Sequence, residues 1–201
     1  MDYSKIRVPF VGSSIINKKA DFFRGQYWDS KIPVDIEKII SVKLKIDIFP
    51  IPDMMDQCNT DVLLLSDWES IYVDYKMYYD ERFQNRLRFS YAHEIGHFVL
   101  HKEIYKSFNI SSYEDYIKYI SYIPQEQYSK LETQANMFAN HLLISREKLK
   151  KELNKEMARS KELIQGDIDK DTLLPYLAIP LAKKFGVSEK PIIIALNCIV
   201  S

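Results

Sequence analysis

Five consecutive residues, His93-Glu94-Ile95-Gly96-His97, carry the side chains in this chain best suited to chemistry. On an α-helix, positions four apart are offset by only about 40° in azimuth, so the His93 and His97 imidazoles can reach a single ion. Imidazole suits zinc, and a catalytic zinc site leaves one coordination position open. Glu94 projects from the same broad side, where its carboxylate can take a proton from water and pass it to a leaving amine. A bound metal lowers the pKa of that water and polarises a carbonyl. The residue types point to metal-assisted hydrolysis, with His93 and His97 as ligands and Glu94 as general base.

The same spacing also arises by chance on surface helices, as a solvated cluster. The flanking residues argue otherwise here. Ala92, Ile95, Gly96, Phe98, Val99 and Leu100 make the segment apolar on most sides, so a buried helix is expected. Two buried histidines beside a buried glutamate are costly unless something satisfies them.

A catalytic zinc site needs a third protein ligand. Glu132 is the strongest candidate, on a helix expected over 124–142 and on the face that also carries Ala135, Asn136 and Ala139. Small residues at 135 and 139 would let two helices approach closely. Asn136, one turn beyond Glu132, is placed to bond His93 or His97 from behind and fix its tautomer. His101 is the rival ligand, but it lies about 6 Å further along its helix than His97 and about 80° around from His93. A core or supporting role suits it better. His141 is open between an exposed residue and a substrate-side group. Cys58 and Cys198 stand in no recognisable nucleophile setting.

The elements that must position these residues follow from periodicity and punctuation. Helices are expected from Ile15 to about Tyr27 and, after Pro33, over Val34–Val42. Alternation predicts strands over Lys43–Phe49, Val62–Leu65 and Ile71–Val73, forming a small antiparallel sheet. A long helix from about Arg82 to Lys102 carries the histidines. Ser111-Ser112 is a possible N-cap for a short helix, and Pro124-Gln125 open the helix of Glu132. Another amphipathic helix is expected from Arg146 to about Ile164, with Leu149, Leu153 and Met157 inward, broken at Gly166-Asp167. Two last helices are joined at Phe185-Gly186-Val187-Ser188.

The chain has 201 residues, 46% hydrophobic and 28% charged, enough for one domain plus an appendage. Basic and acidic residues number 28 each, so there is no electrostatic reason to expect nucleic acid or a membrane surface as the main partner. Two distant cysteines in no CxxC pattern point to a reducing cytoplasm. Met1-Asp2-Tyr3-Ser4-Lys5 shows no signal-peptide pattern, and no apolar run approaches spanning length. A cytoplasmic protein is expected.

The chain resembles the ImmA/IrrE family of metallopeptidases. The resemblance rests on Arg88-Phe89-Ser90-Tyr91-Ala92-His93-Glu94-Ile95-Gly96-His97 followed by Leu100-His101. Glu132-Thr133-Gln134-Ala135-Asn136-Met137-Phe138-Ala139 and Leu142-Leu143 reinforce it. Pro33-Val34-Asp35-Ile36-Glu37 and Leu181-Ala182-Lys183-Lys184-Phe185-Gly186-Val187-Ser188 are also similar to family segments, though less specific. The chain departs from the family at Ile144-Ser145, where Met-Pro is usual; Ser145 is suited to cap the next helix instead. The resemblance implies Zn2+ held by His93, His97 and Glu132, Glu94 as catalytic acid/base and Asn136 as support. It implies an endopeptidase that cuts a helix-turn-helix repressor and so relieves repression of mobile-element or stress genes. The fold it implies is α+β: a mainly helical, zincin-like metallopeptidase domain over 1–145 with a small three-stranded antiparallel sheet. A C-terminal helical segment with a helix-turn-helix-like turn would occupy 146–201.

Two other function classes compete. A DNA-binding regulator is suggested by the turn at Gly186, but Glu189–Cys198 offers only Lys190 and Asn197 to reach base edges, and its middle is apolar. A metal-bound but non-cleaving module, such as one member of a toxin–antitoxin pair, would not need Glu94. A protein substrate, with no direct nucleic-acid or membrane partner, is therefore expected.

Overall fold

The computed structural model describes residues 3–163 and 170–200. A 3-10 turn, Tyr3–Lys5, leads into an extended strap that buries Ile6 and Val8. Helix α1, Ser13–Tyr27, follows, and Ile16, Ala20 and Phe23 form its buried stripe. Helix α2, Ile36–Lys38, starts where the Asp35 carboxylate accepts from the Lys38 N–H at 3.0 Å. It widens into a π turn over Ile39–Leu44 and is closed by Lys45 in the left-handed region, φ 58°.

That turn displaces the first strand. Alternation predicts Lys43–Phe49, but strand β1 runs over Asp47–Ile51, because Lys43 and Leu44 are still wound into the π turn. Pro50 lies inside β1 rather than beyond it, which an edge strand tolerates. The short helix α3, Met54–Cys58, was not expected; β2, Val62–Leu64, and β3, Ser70–Asp74, lie close to where alternation puts them. The order is β1-β3-β2. Leu63 of β2 pairs antiparallel opposite Tyr72, whereas Ile48 of β1 pairs parallel opposite Ile71. The expected all-antiparallel sheet is therefore corrected to a mixed one. The path from Pro52 to Glu69, carrying α3 and β2, is long enough to return the chain to the same end of the sheet, as a parallel pair requires.

Helix α4, Tyr75–Tyr79, is capped by Asp74, and a 3-10 turn at Glu81–Phe83 delivers the chain to α5, Gln84–Leu100. Helices α6, Lys102–Lys106, and α7, Tyr113–Tyr122, come next; Ser112 caps α7 by accepting from the Asp115 N–H. After Pro124 runs α8, Gln125–Leu143, which buries Leu131, Ala135, Phe138, Ala139 and Leu142 along one helical stripe. Helices α5 and α8 pack together at the centre, and α1 packs on α8.

Helices α9, Arg146–Leu163, α10, Lys170–Phe185, and α11, Glu189–Val200, complete the described chain. Ser145 caps α9 through the Lys148 N–H, and Leu149 and Leu153 are buried with Met157 half-buried beside them. The break expected at Gly166-Asp167 lies outside the described residues. Between α10 and α11 the chain turns at Gly186, φ 62°, and the Arg88 guanidinium of α5 donates to the Gly186 carbonyl. The Asn140 amide of α8 donates to the Pro191 carbonyl at 3.0 Å. These two bonds dock the C-terminal helices onto the central pair. No helix of the described residues is long and apolar enough to cross a membrane.

Candidate metal centre

Where α5 crosses α8, the backbones come unusually close. A Cβ on Gly96 would meet the Cα and carbonyl oxygen of Ala135 at 3.0 Å, so only glycine gives this separation without a shift. The closeness lets side chains of both helices converge. His93 Nε2 and His97 Nε2 lie 3.0 Å apart. From α8, the Glu132 carboxylate places one oxygen 3.2 Å from His93 Nε2 and the other 3.5 Å from His97 Nε2. The sequence expectation that α5 is apolar on most sides is met in part: Ala92, Ile95 and Gly96 are buried, while Phe98, Val99 and Leu100 are half-buried.

These three side chains fit a metal ion. A tetrahedral ion with ligand bonds of about 2.0–2.2 Å separates its donors by about 3.3–3.6 Å, close to the spacing found here. Two imidazole nitrogens and a carboxylate oxygen are also a donor set that such an ion favours. Glu94 is a second carboxylate nearby, within 4.8 Å of both imidazoles. It differs from Glu132 in being anchored elsewhere: Glu94 Oε2 accepts from the backbone N–H of Leu64 on β2 at 3.0 Å. One Glu94 oxygen is thus held by the sheet.

Behind the cluster, the His93 Nδ1–H donates to Asn136 Oδ1 at 2.9 Å, the contact that the one-turn offset of Asn136 suggests. His101 does not join the converging nitrogens. It is almost fully buried and stands behind His97, its Nδ1 3.0 Å from His97 Nδ1 and its Nε2 3.1 Å from Gln134 Oε1.

Electrostatics separate the groups. Burial disfavours the Glu132 carboxylate, but hydrogen bonds and charge from His93 and His97 hold it well below the usual carboxylate range. Burial alone would push His93 down; Glu132 outweighs it, with Glu94 and Asn136 adding, and the imidazole is raised to about 9. Glu94 is raised by burial, against the pull of His97, His93 and the Leu64 N–H. Burial, then the neighbouring His97, lower His101 to about 3, so it is neutral.

The cluster opens into a cleft of about 210 Å³ whose other walls the sequence left unassigned. On one rim Arg86 grips Asp61 through two bonds of 2.7 Å, and the Ser90 hydroxyl donates to the same carboxylate at 3.0 Å. Arg86 and Ser90 are one turn apart on α5, a spacing that could have marked them as a pair. Tyr116 and Tyr119 of α7 also line the cleft, but Tyr113 and Tyr122 share the same three-residue interval, so spacing alone does not select them. Tyr105 packs its ring 5.4 Å from that of His97 and donates its hydroxyl to the Leu64 carbonyl at 2.9 Å. His141 does not line this cleft: it is half-buried, its backbone carbonyl accepts from Arg24, and burial with Arg146 lowers its imidazole. Cys58 is buried and bonds Met54, and Cys198 is exposed on α11; neither faces the cleft.

A helix that offers two imidazoles and a carboxylate to a cleft beside a small mixed sheet is the framework of a metallopeptidase. The profile of the IrrE N-terminal-like domain matches residues 75–197, which include His93, Glu94, His97 and Glu132, and the chain belongs to this metallopeptidase family. No curated protein matches the chain.

Proposed function

We propose that this chain is a zinc-dependent, cytoplasmic endopeptidase that cleaves a helix-turn-helix transcriptional repressor and thereby relieves repression of mobile-element or stress genes. The observation that carries the enzymatic part is the convergence of His93, His97 and Glu132 on one point beside a carboxylate held by a different element. His93, His97 and Glu132 would hold the zinc ion. When bound, zinc acidifies water and polarises the carbonyl of the bond to be cut.

Glu94 performs the proton work. With Oε2 fixed by the Leu64 N–H, the other oxygen is free for the attacking water. It accepts the water proton as the C–O bond forms, then delivers it to the amide nitrogen as the C–N bond breaks. Burial raises the Glu94 carboxyl, which makes its conjugate base stronger for the first step. The Tyr116 and Tyr119 side chains, which line the cleft, are neutral donors suited to a developing oxyanion. Arg86, fastened to Asp61, gives the rim a fixed polar edge for a polypeptide backbone.

The repressor substrate is supported by family membership and by α11, which exposes Ile193 and Ile194 rather than a row of basic side chains. That surface suits a protein contact better than a DNA groove. The test is to look for a helix-turn-helix repressor encoded beside this gene and to co-express the two. A single cut that disappears with Glu94→Gln is the expected result. An intact repressor in the presence of zinc-loaded protein overturns the substrate assignment.

A further inference from the structure

A neutral imidazole has one N–H, and the bond made by one ring nitrogen decides which nitrogen keeps a lone pair. A histidine that binds metal through Nε2 must carry its proton on Nδ1. Usually a carbonyl or carboxylate behind the ring enforces this. Behind His97 there is instead another imidazole, that of His101, which can donate or accept, so the direction of the bond has to be set further back.

It is set at the N-terminal strap. The Pro9 carbonyl can only accept, so the Gln134 amide must turn its Nε2 toward it, and does so at 3.0 Å. Gln134 Oε1 then faces His101 Nε2 at 3.1 Å, which must be the protonated nitrogen. The ring partners of His101 are Gln134 and His97, neither anionic, and the ring is almost fully buried, so His101 is neutral and its Nδ1 is bare. Facing that bare nitrogen at 3.0 Å, His97 Nδ1 must donate. His97 Nε2 is left with its lone pair, pointed at His93 Nε2 and Glu132. The strap cannot easily slide: Ile6 and Val8 are buried, and the Val8 N–H donates at 2.8 Å to the buried Gln127 Oε1, about two turns before Gln134 on the same face of α8.

We propose that Gln134 and His101 are positioning residues, anchored on the Pro9 carbonyl, that lock His97 in its Nδ1–H tautomer and aim its Nε2 at the metal site. The N-terminal strap, which lies outside the family-matched residues 75–197, is thereby part of the metal centre. The inference deepens the zinc-peptidase reading and rests on it for its purpose.

Two measurements test it on the full chain. The first is two-bond 1H–15N NMR of the histidines, in metal-free and in zinc-loaded protein. His101 is expected as the Nε2–H tautomer in both, and His97 as Nδ1–H in the zinc form. The second is zinc affinity by competition with a chromophoric chelator. Gln134→Leu and His101→Leu should each weaken zinc about 10–100-fold. His101→Asn, whose amide oxygen can take the place of the lost Nδ1, should recover most of that loss. Thermal unfolding of the metal-free variants separates a positioning effect from a packing one: the Leu and Asn variants of His101 should melt alike yet differ in affinity. His101 found as the Nδ1–H tautomer, or wild-type affinity in both Leu variants, overturns the proposal. Should the wild-type chain bind no zinc, the peptidase reading fails, while the tautomer of His101 in metal-free protein still decides the relay.

Discussion

The Gly96 Cα faces Ala135 with no room for a side chain between them, a Cβ there lying 3.0 Å from the Ala135 carbonyl oxygen. Gly96 precedes His97 and Ala135 lies three residues past Glu132, so this contact sets how closely those two side chains approach from different helices.

Substituting Gly96→Ala brings two effects into opposition. Helix propensity favours alanine by about 1 kcal/mol, while forcing a methyl into a closed contact costs about 1–3 kcal/mol. The expected net is a loss of up to about 2 kcal/mol in metal-free protein. Gly96→Val should lose more, because a β-branched residue forfeits most of the propensity gain and adds bulk. Thermal melts of both variants check this; a more stable Gly96→Ala would show that α5 and α8 can separate freely.

For Glu94→Gln the expected outcome is an intact, zinc-binding protein whose cleavage rate falls by about 10²–10⁴-fold. Gln keeps the size and can still accept from the Leu64 N–H, but it takes no proton from water. Circular dichroism, metal analysis and a cleavage assay on one preparation separate these outcomes. Residual activity near wild type, in protein free of contaminating protease, removes Glu94 from the general-base role.

Glu132→Ala should reduce zinc content below stoichiometric in protein purified without chelator, whereas His101→Ala should retain zinc at saturating metal with weakened affinity. Elemental analysis decides between them. Full occupancy in Glu132→Ala, together with none in His101→Ala, would exchange the roles of the two residues.

These contrasts also show what periodicity can reveal. That His93 and His97 share a helix face, and that Asn136 lies one turn beyond Glu132, follow from helical spacing; Glu132 as their partner rested chiefly on the family resemblance. Ser112 and Ser145 announce their caps by residue type alone. The Leu64 N–H that holds Glu94 was not legible, because a backbone amide leaves no mark in a side-chain pattern. Nor was the parallel pairing of β1, which depends on how α3 and β2 carry the chain between Pro52 and Glu69. The bond of Gln134 to Pro9 joins residues 125 apart in sequence, and nothing local signals it.

In the metal-free protein His93 is raised to about 9, chiefly by Glu132 acting against burial. At pH 7.5 the ring is therefore charged, and it must lose its proton to offer a lone pair to zinc. Glu132 is held well below its usual range and is already ionised, so it releases none. Zinc binding at pH 7.5 should release close to one proton per site from this ring. Titration calorimetry in buffers of different ionisation enthalpy measures that number directly. The sign of the pH dependence follows: affinity should rise about tenfold per pH unit up to about pH 9 and flatten above it. Stability of the metal-free fold should move the other way. A folded-state pKa above the ordinary 6.5 gives a contribution that is complete below pH 6.5 and fades as pH climbs through 9. The rise in Tm on adding zinc should accordingly grow between pH 6.5 and 9. Binding without proton release, and with a flat affinity across that window, would mean that His93 is already neutral and that Glu132 does not hold its proton in place.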